Sequence, residues 1–491
     1  MAKRWIRKWA HDRATDGWSP IPTRVVSNEE YAPLPQTREQ AHVAALVRET
    51  ARQNARALGV SRRAFLASGP GLAAALLAMN QVFGDVFDVE AVEAYEPAAF
   101  QERSPRAPFI FDIQTHHVAA PAMGPISALQ PNPLALLELR RRASRWNPAL
   151  RNRRPRVEDL YLETFIKEVF LDSDTTVAVL SGIPSATDAT NILPPYRMAE
   201  TRAIVNKLAA SRRLLAHGLV APNKGSSDLE TMRRQASELK LDAWKGYTGL
   251  PLGDPPAAWR VDDEKVGYPM LEEARRLGVR NICLHKGLPF AGTNEADWHP
   301  GDLARAAREF PDLNFIVYHA GFRSLAAALP ATRDEFVRIS RVDWVTDLCE
   351  MRAKDPKLTN VYAELGSTFA MTVITAPLLC GHILGMLVKH LGADHVLWGT
   401  DAIWWGSPRW QLEAFRRFRI PRPIADRFGY APLTGDVKRQ ILGLNAAKLY
   451  GVDPAAAVHP VPNDFVSKLK AAYLDEGPSP SLTQYGWIIG S

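Results

Sequence analysis

Phe109-Ile110-Phe111-Asp112-Ile113-Gln114-Thr115-His116-His117 is an apolar run that ends in side chains able to bind a metal or carry a proton. Three later segments repeat that design. Asn281-Ile282-Cys283-Leu284-His285 and Asn314-Phe315-Ile316-Val317-Tyr318-His319 each end in histidine, and His395-Val396-Leu397-Trp398-Gly399-Thr400-Asp401 ends in aspartate. Each reads as a short buried strand delivering one reactive residue at its C-terminal end. In a parallel barrel those ends converge on one face, so residues far apart in sequence share one site.

Along the whole chain, apolar strand candidates fall at 109–113, 177–181, 214–220, 243–245, 281–284, 314–318, 360–364 and 396–399. Helical patterns at 158–170, 196–211, 229–239, 269–277, 301–310 and 378–391 separate most of them. Strand and helix alternating eight times predict an α/β fold, a (β/α)8 TIM barrel over residues 105–452, with an N-terminal extension and long loop insertions. A doubly wound open sheet fits less well, because polar residues mark many strand ends rather than one switch point. The insertions are 119–156, rich in proline and arginine, and 323–359. A Pro-rich tail, 453–491, follows the barrel.

Residues 1–60 form a basic arm with one amphipathic helix expected over 37–58. Segment 61–94 opens with Ser61-Arg62-Arg63-Ala64-Phe65-Leu66 and continues as an Ala/Gly/Leu-rich stretch. That order has the form of a twin-arginine export signal, although its leading region is unusually long. The expectation is export to the periplasm through the twin-arginine machinery. An N-terminal arm ending in a buried Ala-rich helix, in a cytoplasmic protein, is the competing reading.

With 46% hydrophobic and 23% charged residues, the 491-residue chain has the composition of a globular protein with ample core. Its net charge of +7 is concentrated in the arm and in 140–156, without the interleaved aromatic face of a nucleic-acid binder. Cys283, Cys349 and Cys380 are the only cysteines, and none has metal-finger or disulfide spacing.

Alternation along a strand places Asp112, Gln114 and His116 on one face and His117 on the other, unless a bulge turns His117 inward. Two histidines at i and i+2 would clamp zinc. Gln114, at the first of those positions, offers a weaker and harder neutral oxygen. His285 precedes Lys286-Gly287 and His319 precedes Ala320-Gly321, so both imidazoles belong at the barrel rim. Asp401 is a candidate metal ligand or base. Glu364, Lys245, His299, Trp404 and Trp405 are candidates to contact substrate, each with an equally simple structural role. His217 reads as core, and His382, His390 and His395 read as non-catalytic.

In these residues and in their order the chain resembles the amidohydrolase-related family (amidohydrolase family 2), which includes aminocarboxymuconate semialdehyde decarboxylase. The resemblance spans residues 109 to about 452. It rests on the Asp112-x-Gln114-x-His116 variant of a DxHxH first strand, His285, Tyr318-His319-Ala320-Gly321, Gly399-Thr400-Asp401 and the closing Asn445-Ala446-Ala447. It implies one divalent metal, zinc or else manganese, held by His116, His285 and Asp401 with Gln114 as the departing ligand. It also implies that His319 acts in proton transfer or substrate polarisation. The function it implies is that of a metal-dependent hydrolase acting on a small aromatic or carboxylate-bearing substrate. Non-oxidative decarboxylation by a lyase is the alternative, and a metal-free binding or assembly protein is the second. A homodimer is the oligomer the resemblance suggests.

Overall fold

The computed structural model describes residues 5–28, 30–105, 109–119, 160–290, 292–328, 340–458, 464–481 and 485–490. The arginine-rich insertion up to residue 159 and part of the second insertion lie outside the described residues. Eight parallel strands form the body in sequence order: β2 (Phe111–Thr115), β3 (Val177–Leu180), β4 (Leu214–Val220), β5 (Ala243–Tyr247), β6 (Asn281–His285), β7 (Asn314–Tyr318), β8 (Val361–Glu364) and β9 (Val396–Leu397). The chain just after β9 closes the ring on β2. Ile113 donates to the Trp398 carbonyl, Asp401 to Gln114 and His116 to Ala402, and Thr115 bridges Ala402. This is a (β/α)8 barrel.

Its interior is a layered apolar plug of Phe111, Ile113, Val177, Val179, Leu215, Ala243, Cys283, Ile316 and Leu397. The opposite strand faces, such as Ala178, Trp244, Ile282 and Val317, pack in a separate cluster with the helices. Alternation thus sorts every strand into a barrel face and a helix face. The closing motif seals the bottom. Asn445 Nδ2 donates to the carbonyls of Ala393 and Val396, both at 2.8 Å, while Tyr450 packs on Phe111. The three cysteines are free and buried.

Most helices match their sequence patterns to within a few residues. The segment expected as one helix over 158–170 instead holds a five-residue α-helix, Leu162–Ile166, that widens into a π-turn at Lys167–Leu171.

The arm is part of the body. β1 (Trp5–Arg7) and α1 (Lys8–Thr15) are followed by α2 (Arg38–Ala57), which starts at a capping box of Thr37 and Gln40. Gln40 also donates to the Ile374 carbonyl at 3.1 Å, fastening α2 to a barrel helix. The twin-arginine sequence forms α3 (Arg62–Ala67), and the Ala-rich stretch forms α4 (Gly69–Phe83), whose Leu72, Ala73, Ala75 and Leu76 are buried. Arg409 donates to the Ala67 carbonyl at 2.7 Å, and Arg417 pairs with Glu93 at 2.7 Å in the interior. The two ends of the chain also meet, because β1 pairs antiparallel with β10 (Trp487–Ile489). Among the described residues, no helix is long and apolar enough to cross a membrane.

Candidate active site

β2 does not keep its alternation to the end. Phe111 lies opposite Val177 and Asp112 opposite Ala178, but Thr115 lies opposite Leu180, so β2 carries one extra residue. Asp112 precedes the bulge and lies on the helix face, opposite to Phe111 and Ile113, while the extra residue turns Gln114 and His116 toward the barrel mouth. The expectation of a shared face for all three is corrected accordingly. Asp112 instead accepts from the backbone NH groups of Gln114 and Thr400, both at 3.1 Å, and from the Thr400 hydroxyl. It locks β2 to the turn that carries Asp401. The bulge does not bring His117 inward: its Nε2 lies 3.0 Å from the Thr201 hydroxyl and its ring packs on Phe165.

Asp401 follows β9 with a left-handed φ of 59° and is 2% exposed. Its Oδ1 lies 3.1 Å from His116 Nε2 and 3.2 Å from Gln114 Nε2. Its Oδ2 accepts from the Ser367 hydroxyl, which in turn accepts from Trp405 Nε1 at 2.8 Å. Burial pushes the carboxyl up. The hydrogen bond and charge of His116, with the nearby His319 ring and the Ser367 bond, outweigh it and hold Asp401 below the usual carboxylate range.

A second cluster stands beside it. His319 also has φ +60°, and its Nδ1 donates to the Gly366 carbonyl at 2.7 Å. That bond assigns the proton to Nδ1 and leaves Nε2 to accept from His285 Nδ1 at 3.2 Å. The His285 ring stacks on Tyr247, with centroids 4.4 Å apart. Burial drives His285 well below its ordinary value and His319 down to about 4, so both are neutral imidazoles at pH 7. Under them, Glu364 accepts from the backbone NH groups of His319 at 3.1 Å and Gly366 at 2.5 Å, and burial raises it to about 8.

Gly366-Ser367-Thr368, just after β8, joins the two clusters. Gly366 holds the His319 ring, Ser367 holds Asp401, and Thr368 donates to the His319 carbonyl at 2.7 Å. A side chain at residue 366 would come within 2.1 Å of Gln114 Oε1, so only glycine lets the turn approach. Ser367, with φ +55°, completes a trio of site residues held in left-handed backbone. Sequence reasoning missed this turn, and its only signal was a Gly-Ser-Thr directly after a strand ending in glutamate. We predict that Ser367→Ala raises the Asp401 pKa and lowers turnover by about 10–100-fold, the usual effect of removing a residue that orients a reactive group. A pH–rate profile whose acidic limb stays in place would contradict this.

The remaining candidates separate clearly. Trp404 faces His116, with ring centroids 6.3 Å apart, and Trp405 acts through Ser367. Lys245 lies inside the barrel, where Nζ has no hydrogen-bond partner among the described residues and sits 3.1 Å above the Tyr318 ring. His299 is not brought to the centre. It pairs with Asp347 at 3.2 Å and caps the NH of Gly301. His217 is core, beside Tyr450 and Cys283.

Could this site hold a cation? Among the described residues, no three His, Cys, Asp or Glu side chains are placed to do so alone. His116 and Asp401 already converge, and Gln114 adds an orphaned buried oxygen, since Oε1 has no partner while its Nε2 is spent on Asp401. An unpartnered acceptor beside a carboxylate and an imidazole is what a cation satisfies, so Gln114, His116 and Asp401 fit one. His285, facing His319, stands apart from that edge.

The amidohydrolase family model matches residues 169–452, more than half of the chain. The chain belongs to the amidohydrolase family. Solved structures similar to this amidohydrolase include 2,6-dihydroxybenzoate decarboxylase from Rhizobium (16% identity, 70% of this chain and 98% of that one, TM-score 0.39). A dihydroxybenzoic acid decarboxylase from Polaromonas, with bound manganese and 2-nitroresorcinol, shares 15% identity over 72% of this chain and 99% of that one (TM-score 0.39). A probable 2-pyrone-4,6-dicarboxylic acid hydrolase from Acinetobacter baumannii shares 11% over 70% and 99% (TM-score 0.40). No curated protein matches this amidohydrolase.

Proposed function

We propose that this amidohydrolase hydrolyses a small carboxylate-bearing aromatic substrate with the help of one divalent cation held by Gln114, His116 and Asp401. The observation that carries this reading is the pairing of an ionised, doubly anchored Asp401 with a neutral His319, both buried. When bound, the cation supplies electrostatic stabilisation of the negative charge that develops on the substrate. Asp401, fixed at Oδ1 by His116 and Gln114 and at Oδ2 by Ser367, takes a proton from the attacking water. His319, held by Gly366, orients its Nε2 without carrying a charge of its own. Trp404 and Tyr247 wall the site and exclude solvent, which strengthens each electrostatic contact.

Substituting an amide oxygen for an imidazole leaves one nitrogen and two oxygen donors, a set that suits manganese better than zinc. Non-oxidative decarboxylation is the second reading. It is favoured by the burial of His116, His285, His319 and Asp401, all at 4% exposure or less, because surroundings of low polarity destabilise a substrate carboxylate.

Elemental analysis of the purified protein beside a His116→Ala variant tests the cation. We expect about one equivalent of divalent ion, lost in the variant; no ion in either after reconstitution would refute the metal-assisted reading. Candidate benzoates and lactones then separate the reactions, since release of carbon dioxide without uptake of water marks the lyase.

A further inference from the structure

A cavity of about 490 Å³ lies between the arm, the Leu162–Leu171 helical turn, the C-terminal tail and the loop after Asp401. Its outer wall carries Arg7, Arg13 and Arg63, interleaved with Trp9 and Trp18. The Arg63 guanidinium sits 4.6 Å from the centroid of the Trp18 ring, so cation and ring are held together. Arg13 and Arg63 have no carboxylate partner among the described residues, whereas the neighbouring Arg62 pairs with Asp16. Lys167 is committed to Asp172 at 2.6 Å. Glu168 is the one acidic residue on the wall, and burial raises its carboxyl to about 7. The wall is therefore cationic at neutral pH.

The inner wall leads to the site. Ile403 lines the cavity, and its NH donates to the His116 carbonyl at 3.3 Å. Tyr485 also lines it and packs on Trp404, with centroids 5.5 Å apart, while Trp404 faces His116. Tyr485 and Trp404 thus link the cavity to the His116 ring, and Ile403 links it to the His116 backbone.

We propose that this cavity is a binding site for an aromatic carboxylate, a vestibule in which Arg13 and Arg63 take the carboxylate and Trp9 and Trp18 take the ring. Guanidinium groups pair with carboxylates in bidentate fashion, and indole faces accept a flat ring, so the two residue types suit the two halves of one ligand. The choice of ligand rests on the proposed carboxylate-bearing substrate, but binding here needs neither the cation nor turnover. Arg63, from the twin-arginine sequence, thereby has a place in the folded protein.

Calorimetric titration with benzoate tests this on the full chain, stripped of divalent ions. We expect saturable binding that weakens at least about tenfold in Arg13→Gln/Arg63→Gln. Arg63→Lys, which keeps the charge but loses the planar fork and its stack on Trp18, is expected to weaken binding measurably, though less than the double variant. Asp401→Asn is expected to bind as the wild type does, so failure of the catalytic reading leaves this result intact. On any substrate that turns over, the double variant is expected to raise KM with kcat unchanged. Absence of saturable binding, or equal affinity in the double variant, overturns the proposal. Inorganic phosphate binding as tightly as benzoate overturns the aromatic assignment.

Discussion

Asp401→Asn is expected to empty the cation site and to lower kcat/KM by roughly 10³-fold or more, in the range for loss of a positioned acid–base group. The amide keeps the size of the side chain but removes its charge and replaces one acceptor oxygen with a donor. Asp401 Oδ1 is shared by His116 and Gln114, and Oδ2 by Ser367, so an NH2 group at either position faces a group that is itself donating. Both the acceptor of the water proton and the only carboxylate of the proposed ligand set disappear together. The fold is expected to survive, because the tie between the Asp401 NH and the Gln114 carbonyl belongs to the backbone. Elemental analysis reads the first effect without any substrate, and turnover on the first substrate found reads the second. A variant that keeps one equivalent of ion and a tenth of its activity would show that Asp401 is neither ligand nor base.

Lys245→Met is expected to stabilise the protein by several kcal/mol at pH 6, and to remove a pH dependence of its stability. Lys245 is completely buried, with no hydrogen-bond partner among the described residues, and burial lowers its pKa from 10.5 to about 7. Between pH 7 and 10.5 the unfolded chain holds this proton and the folded chain does not, so stability rises with pH across that window. Below pH 7 both states are protonated and the full cost is present, on the order of 4–5 kcal/mol at 1.36 kcal/mol per pH unit. Methionine fills nearly the same volume without the charge. Glu364, raised to about 8, gives the opposite slope between pH 4.5 and 8, and because Lys245 holds it down, the difference between variant and wild type reads the lysine together with its effect on Glu364. Urea denaturation at pH 6, 7.5 and 9 measures it; a variant less stable at pH 6, with an unchanged slope, would refute it. A charge kept in the barrel at such cost belongs to function. We therefore expect the stabilised variant to lose activity.

Strand order, the barrel and the closing helix were legible because each is local. Short apolar runs at regular spacing, each ending in a polar residue, admit few topologies, and the Asn445-Ala446-Ala447 turn marks where the last helix docks. The placing of His116, His285, His319 and Asp401 at strand ends was legible for the same reason, since a strand end identifies the face. The π-turn after Ile166 was not, because a one-residue widening of a helix leaves its apolar pattern almost unchanged.

The partners of those residues lay beyond the sequence. Whether Gln114 and His116 share the face of Asp112 depends on a single bulge in β2, and a one-residue slip reverses every side chain that follows. That Gly366-Ser367-Thr368 joins Asp401 to His319 depends on β8 lying beside β7 and β9 in space. That His285 turns to His319, and His299 to Asp347, depends on which neighbour each ring meets after folding. Hydrophobic periodicity is written residue by residue, so the chain alone specifies the barrel, the candidate residues at its strand ends and the end of the barrel they occupy. Which of them touch, which are charged, and that the arm packs beside the site are set by folding in three dimensions. Burial and hydrogen-bond partners come from residues hundreds of positions away, and no local pattern encodes them.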